Sequence, residues 1–489
     1  MQQTARRSDY SLTFAVLLVS VSAYSLLQSL VLPVLPTIQH ALHTSQDTVT
    51  WVLTGYLLSA SVATPIIGRI GDMTGKKRML VITLITLAFG SLLSAIATSI
   101  IVMVIARVIQ GVGGAVLPLA FGIIRDQSPP EKVSSGISIA AALLAVGGGA
   151  GIVLAGPIVS VLDYHWLFWI PAIVVSAAAV AALIVIPESG SRTKGHVALG
   201  PAVLLSGWLV ALIVAVSEGQ LWGWTSGRTL GLIGLAIVLA AAWIQRELKA
   251  PQPLIDMRMM RLPSVWTTNL VALLFGAALY SAIGFLPEFL QTPSSAGYGF
   301  GASVTASGLF IAPMTATMFV FGLVSAPLSA RLGSKLVVLI GSLATVAPFA
   351  LLTFAHQQRI AIYVASGLLG VGLGFVFAAM SNIIVESVPA NQVGVASGMN
   401  ANIRTIGGSI GAAVMGTVVT SGVAAGGLPK NSGYTHGFAF LTLCAVLATV
   451  ASVIIPSARR NEREVLASAG VVEHAETGLV AGAGLVDGE

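Results

Sequence analysis

Fourteen stretches of mostly apolar residues, from 17 to 28 residues long, recur along this 489-residue chain. They fall at 12–36, 50–70, 79–98, 100–124, 134–161, 166–187, 198–216, 229–245, 265–290, 302–328, 336–355, 360–386, 395–421 and 435–456. A helix needs about 20 apolar residues to cross the roughly 30 Å hydrocarbon core of a bilayer. Only Thr98-Ser99 separates the third run from the fourth. The remainder is too small to solvate such a chain in water: 9% of residues are charged and 56% hydrophobic, against about 25% charged in an ordinary soluble domain. The expectation is an all-α polytopic membrane protein. The first run follows Arg6 and Arg7 and is too long for a signal-peptide core, so it reads as a span. A single cysteine, Cys444, excludes an intramolecular disulfide.

Lys and Arg set the orientation. With the N-terminus placed inside, the inner segments hold Arg6, Arg7, Arg69, Lys76, Lys77, Arg78, Arg125, Lys132, Arg192, Lys194, Arg246, Lys249, Arg258, Arg261, Arg331, Lys335, Arg459, Arg460 and Arg463. The outer loops hold Arg228, Arg359 and Lys430, and only Arg107 and Arg404 fall inside spans. One missed helix would invert every later loop and erase this asymmetry. The reading is a multi-pass protein of the cell membrane with both termini cytoplasmic. The net charge of +6 belongs to these short loops, and it calls for anionic lipid at the inner face rather than nucleic acid.

Polar linkers isolate two of the spans, which gives a plan of 1–187 as a first six-helix bundle, 188–263 as a linker with two extra transmembrane helices, 264–456 as a second six-helix bundle, and 457–489 as a disordered cytoplasmic tail. A weak internal repeat supports the plan. Ala326 to Lys335 follows the tenth span as Gly68 to Lys77 follows the second. Aligning Gly333 with Gly75 puts Lys335 on Lys77 but Ala330 on Asp72, so the second copy lacks the acid. Repeated halves with the substrate site between them are a common plan of secondary transporters.

The densest charge knot is Gly68-Arg69-Ile70-Gly71-Asp72-Met73-Thr74-Gly75-Lys76-Lys77-Arg78. Its glycines permit a tight turn. Asp72 can cap the following helix or pair with an Arg on a neighbouring one, and Lys76, Lys77 and Arg78 can hold anionic lipid. The segment is either a basic topology anchor or a conformational latch. Arg107 lies within the fourth span, with Gln110 one turn away on the same face, and an intramembrane charge is a functional hypothesis unless backbone carbonyls merely satisfy it. The fifth span carries Gly147, Gly151, Gly156 and Pro157, a composition that packs closely or bends a gating helix. Among the eighteen acids, Asp9, Asp72, Asp126, Glu131, Glu188, Glu247, Asp256 and Glu386 fall in or beside inner loops, Asp47, Asp163 and Glu218 outside, and six in the tail. Glu288 alone falls within a span, near its outer end, as a proton carrier or a solvated vestibule residue. Asn400, Asn402 and Arg404 form a further candidate polar cluster with Gln110. No P-loop, zinc-ligand spacing or nucleophile elbow is present, so the chain does not read as an enzyme and calls for no cofactor beyond a proton gradient.

The spacing G-x-x-x-D-x-x-G-K-K-R of the charge knot, Trp51 to Leu58 in the second span and Arg107-x-x-Gln110-Gly111-x-Gly113 in the fourth resemble the major facilitator superfamily, and within it the fourteen-span drug:proton antiporters. The resemblance runs from about Leu26 to Pro456. It implies two six-helix bundles plus two central helices, a cytoplasmic latch containing Asp72, proton coupling at Arg107, and an antiporter-type fifth span at Gly156-Pro157. Two features depart from the pattern: Ser160-Val161 stands where that fifth-span motif ends in two glycines, and Leu26-Leu27-Gln28-Ser29 occupies the place of an expected first-span acid. The missing acid turns attention to Glu288, or to a different coupling scheme. The resemblance thus implies a proton-coupled exporter of small amphipathic or cationic compounds, a multidrug or antibiotic-resistance transporter working by alternating access as a monomer. Alternatives are a dedicated exporter of one lipid or secondary metabolite, and a non-transporting membrane sensor or scaffold.

Overall fold

The structure is a computed structural model that describes residues 2–44, 46–188, 199–250, 253–389, 392–421 and 428–456. The expected disordered tail, 457–489, lies outside the described residues. Among those described, fourteen helical segments are long and apolar enough to cross a membrane. They are α1 Ser11–Val34, α2 Trp51–Thr74, α3 Lys76–Ala95, α4 Ile100–Gln127, α5 Pro130–Val161, α6 Trp166–Val185, α7 Gly200–Gly219, α8 Gly227–Lys249, α9 Pro263–Gln291, α10 Val304–Leu332, α11 Ser334–Ala355, α12 Arg359–Ser387, α13 Val393–Thr420 and α14 Asn431–Ile454.

Local chemistry sets the breaks. Ser99 ends the short α3–α4 link because its hydroxyl accepts from the Val102 N–H at 3.4 Å, capping α4. Between α2 and α3 the chain turns at Gly75, whose φ of 121° is strained for a residue with a Cβ. Gly333, between α10 and α11, takes a φ of 85° in the equivalent place. The repeat inferred from the loops is therefore present as a backbone conformation as well as a spacing.

Helices outlast the apolar runs that predict them. The second run ends at 70, but α2 continues to Thr74. Asp72, Glu247 and Glu386 are consequently helical, in terminal turns at the basic end, and Glu218 is helical near the opposite end of α7. Glu288 is therefore not alone among the acids within spanning helices, contrary to the sequence reading. The reason is that a terminal helical turn tolerates charge at the headgroup level, where hydropathy no longer reports helix.

The first six helices pack around Leu17, Leu27, Leu80 and Phe121, and the last six around Phe275, Phe289, Phe310 and Phe438. Helix α5 joins the two sets: Gly147 and Gly151 lie against Ser25, Leu26 and Ser29 of α1, while Gly149 and Gly156 lie against Thr315 and Thr305 of α10. Continuous from Pro130 to Val161, α5 uses its glycines for close approach rather than for a break. A Cβ at Gly149 would collide with Thr315, whereas one at Gly148 would meet only Ser25 Oγ at 3.8 Å. Gly149→Ala is thus expected to lower the unfolding temperature of the purified protein, at an overpacking cost of about 1–3 kcal/mol, and Gly148→Ala not to lower it, since Ala is favoured over Gly within a helix by about 0.5–1 kcal/mol. Equal unfolding temperatures for the two variants would contradict this account of the α5–α10 seam.

The two extra helices sit beside the seam. Helix α7 packs on α8, α2 and α13, and so touches both sets of six. The hairpin is tied to α13 by a hydrogen bond of 3.1 Å from the Trp224 indole N–H to the Thr417 hydroxyl.

Candidate functional site

A cavity of about 1330 Å³, counting its open mouth, lies between the two sets of helices. On each contributing helix the lining residues fall near the middle or in the half remote from the basic loops: Tyr24 to Leu32 on α1, Leu53 to Thr64 on α2, Leu144 to Ile152 on α5, and Leu279 to Ile283 on α9. Tyr24, Tyr56, Tyr280, Arg107, Asn402 and Arg404 supply much of its polarity.

Toward the basic end the two sets are interlocked. The Arg125 Nη1–H donates to the carbonyls of Val385 at 2.6 Å and Val388 at 2.7 Å. Asn382 Nδ2 donates to Ser138 Oγ at 2.9 Å, and Asn402 Nδ2 donates to the Ser61 carbonyl at 2.5 Å. A Cβ at Gly68 would stand 2.9 Å from the Gly394 carbonyl oxygen, so α2 and α13 approach there backbone to backbone. Only small residues permit that separation.

Asp72 sits in this closure. Its carboxylate faces the first turn of α13: a Cβ at Gly394 would lie 3.2 Å from Oδ2, and the Val395 N–H points to it. A carboxylate there meets unpaired N–H groups and the positive end of the α13 dipole. Asp72 thus serves the N-terminus of a helix in the other half, not the following helix as the sequence allowed. Lys76 lies 3.7 Å from Asp72 and donates to Asp126 at 2.7 Å. At 1% exposure Lys76 is inside the protein, so it does not meet lipid as expected; Lys77 is half-buried and Arg78 exposed. The Glu188 carboxylate lies so close to Gly75 that a Cβ there would collide with it.

Arg107 is completely buried. Its Nε–H donates to the Val52 carbonyl at 3.0 Å, Nη1–H donates to Gln110 Oε1 at 2.7 Å, and the guanidinium lies 4.3 Å from the centre of the Tyr56 ring. Gln110 in turn donates to Ser91 at 3.0 Å. This chain of contacts holds Arg107 at the cavity wall, and Gln110 is a support outside the lining. The expected cluster likewise divides. Asn402 and Arg404 line the cavity, whereas Asn400 turns to α9 and donates to Asn269 at 2.9 Å. Adjacent turns of one helix point to different neighbours, which spacing alone does not reveal.

Glu288 is not brought to Arg107. It is exposed near the end of α9, away from the cavity lining, where the Tyr434 hydroxyl donates to Oε1 at 3.2 Å. Sequence reasoning missed Asp126, Arg125 and the three cavity tyrosines. The Arg125-Asp126 pair at the inner end of α4 was an available signal; the tyrosines look like any other residues of apolar spans.

Two bundles with an extra helix pair, a cavity between them and an interlocked basic end define a membrane transporter of the two-bundle class. Residues 17–412, and again 272–481, match the profile of the Major Facilitator Superfamily. The chain belongs to that superfamily. It is 30% identical over 392 residues to the tetracenomycin C resistance and export protein of Streptomyces glaucescens, covering 79% of this chain and 72% of that protein. It is 28% identical over 381 residues to multidrug resistance protein 3 of Bacillus subtilis (strain 168), covering 77% and 73%. In fold it is similar to the human organic anion transporter MFSD10 (TETRAN), with a TM-score of 0.65 at 16% identity over 92% of this chain and 99% of that one.

Proposed function

We propose that this chain exports small amphipathic compounds by alternating access between its two six-helix bundles. The observation that carries the proposal is the cavity between the bundles, closed on the basic side by Asp72, Arg125 and Asn382. The excess of Lys and Arg at that end supports a cytoplasmic position for it and for both termini, and on that reading the cavity opens outward in this conformation. The names of the relatives, which are export and resistance proteins, support the outward direction. A dedicated exporter of one lipid or secondary metabolite is the second reading, favoured by the relative named for a single compound.

Exchange against protons belongs to the same proposal, with Arg107 at the cavity and Glu288 near the end of α9 remote from the basic loops. Acid-driven efflux of a fluorescent dye from everted vesicles tests it. Glu288→Gln is expected to abolish the dependence on the proton gradient while the protein is still made and inserted. Undiminished proton-driven efflux in that variant would remove Glu288 from the coupling scheme.

A further inference from the structure

The cavity holds two guanidinium groups and, among its lining residues, no Asp or Glu. Arg107 spends its Nε and Nη1 on Val52 and Gln110, but Nη2 is buried with no hydrogen-bond partner. Arg404 is 92% buried, since its exposure is 8%. Its guanidinium lies over the face of Phe377, 4.9 Å from the ring centre, and it makes no ion pair among the described residues. A buried cation is costly unless paired. Here two stand at one cavity, beside neutral tyrosine, asparagine and serine groups, so the potential in the cavity is positive. It disfavours a cation and leaves a planar fork of unused N–H donors for an oxyanion. The same lining includes the apolar side chains of Leu279, Ile283 and Met314, which suit a ring system.

We infer that the cavity selects an amphipathic organic anion, its carboxylate or sulfonate held by Arg404 and the free edge of Arg107 and its rings by the apolar side chains. This narrows the substrate class of the export reading on which it rests, and it sets aside the cationic compounds expected from the sequence.

The test is calorimetric titration of the full chain in phosphatidylcholine nanodiscs, with empty discs as blank, using three probes that share a ring system: 1-naphthylacetate, 1-naphthylacetamide and 1-naphthylethylammonium. The anion is expected to bind at least about tenfold more tightly than the other two, and Arg404→Gln to remove at least about tenfold of its affinity, the loss of one charge-assisted hydrogen-bonding partner. Arg404→Lys is expected to recover part of that loss. Ammonium binding as tight as the anion's, or no binding of any probe to the wild-type chain, overturns the inference. So does an Arg404→Gln variant with unchanged anion affinity. Binding is read without transport, which separates the two proposals. An intact anion preference in a chain that moves none of the probes sinks the export reading alone. Efflux of the ammonium with no anion preference sinks this inference alone.

Discussion

Asp72→Asn is expected to open the basic end and to abolish export in a protein that still inserts. The substitution keeps the volume and removes the charge that faces the first turn of α13. A charge at a helix N-terminus in a buried setting contributes up to about 2 kcal/mol. Its loss would shift the balance between the closed and open basic end by about 30-fold, since each 1.4 kcal/mol is a factor of ten. Lys76 keeps its 2.7 Å bond to Asp126, so the damage should be conformational rather than a general loss of stability. The chain has one cysteine, Cys444, which makes site-directed labelling practical. In a Cys444→Ser background, Thr64→Cys places a thiol at the cavity wall where α2 meets α13 at Gly398. An impermeant maleimide added from the cytoplasmic side should label it much faster when Asp72→Asn is present. Equal labelling rates with and without the Asp72 substitution would show that Asp72 does not hold that end shut.

Arg107 carries the second large effect. Arg107→Ala would strand the Gln110 Oε1 acceptor inside the first bundle and remove the side-chain donor from the Val52 carbonyl. Each buried group left unsatisfied costs about 1–3 kcal/mol, so this variant should lower both the unfolding temperature and the yield. Arg107→Lys separates charge from geometry. An ammonium keeps the positive potential but cannot reach Val52 and Gln110 in one plane while resting on Tyr56. Export is expected to fall at least about tenfold, equivalent to about 1.4 kcal/mol of barrier, at near-normal protein levels. Wild-type export by the Arg107→Lys protein would mean that only the charge is used.

The contrast between these two residues shows how far the sequence could be read. Both were visible in the sequence, Asp72 in the densest charge knot and Arg107 as a charge within a span. Their partners were not visible. Asp72 faces Gly394, more than 300 residues later in the chain, and Arg107 leans on a carbonyl of α2, a group every residue possesses. Lys76 looked like a lipid anchor because it stands in a run of cations, yet it turns inward between two acids. Glu288 drew attention as an acid in a span, but its side chain is exposed near the helix end, a distinction that hydropathy does not make.

The sequence by itself determined the fourteen helices, the turn at Gly75, its echo at Gly333 and the charged end of the molecule. Those follow from local terms: the length of an apolar run, the φ a glycine can take, and the cost of placing Lys and Arg in lipid. Tertiary structure decided which charges are paired and which are left open. Asp72 faces the first turn of α13 and Lys76 is enclosed between Asp72 and Asp126, while Arg404 and one edge of Arg107 remain unpaired at the cavity. That difference is set by which helix faces which neighbour. The helical period alone cannot supply it, because residues one or two positions apart on a helix point in different directions and many packings satisfy the same apolar pattern.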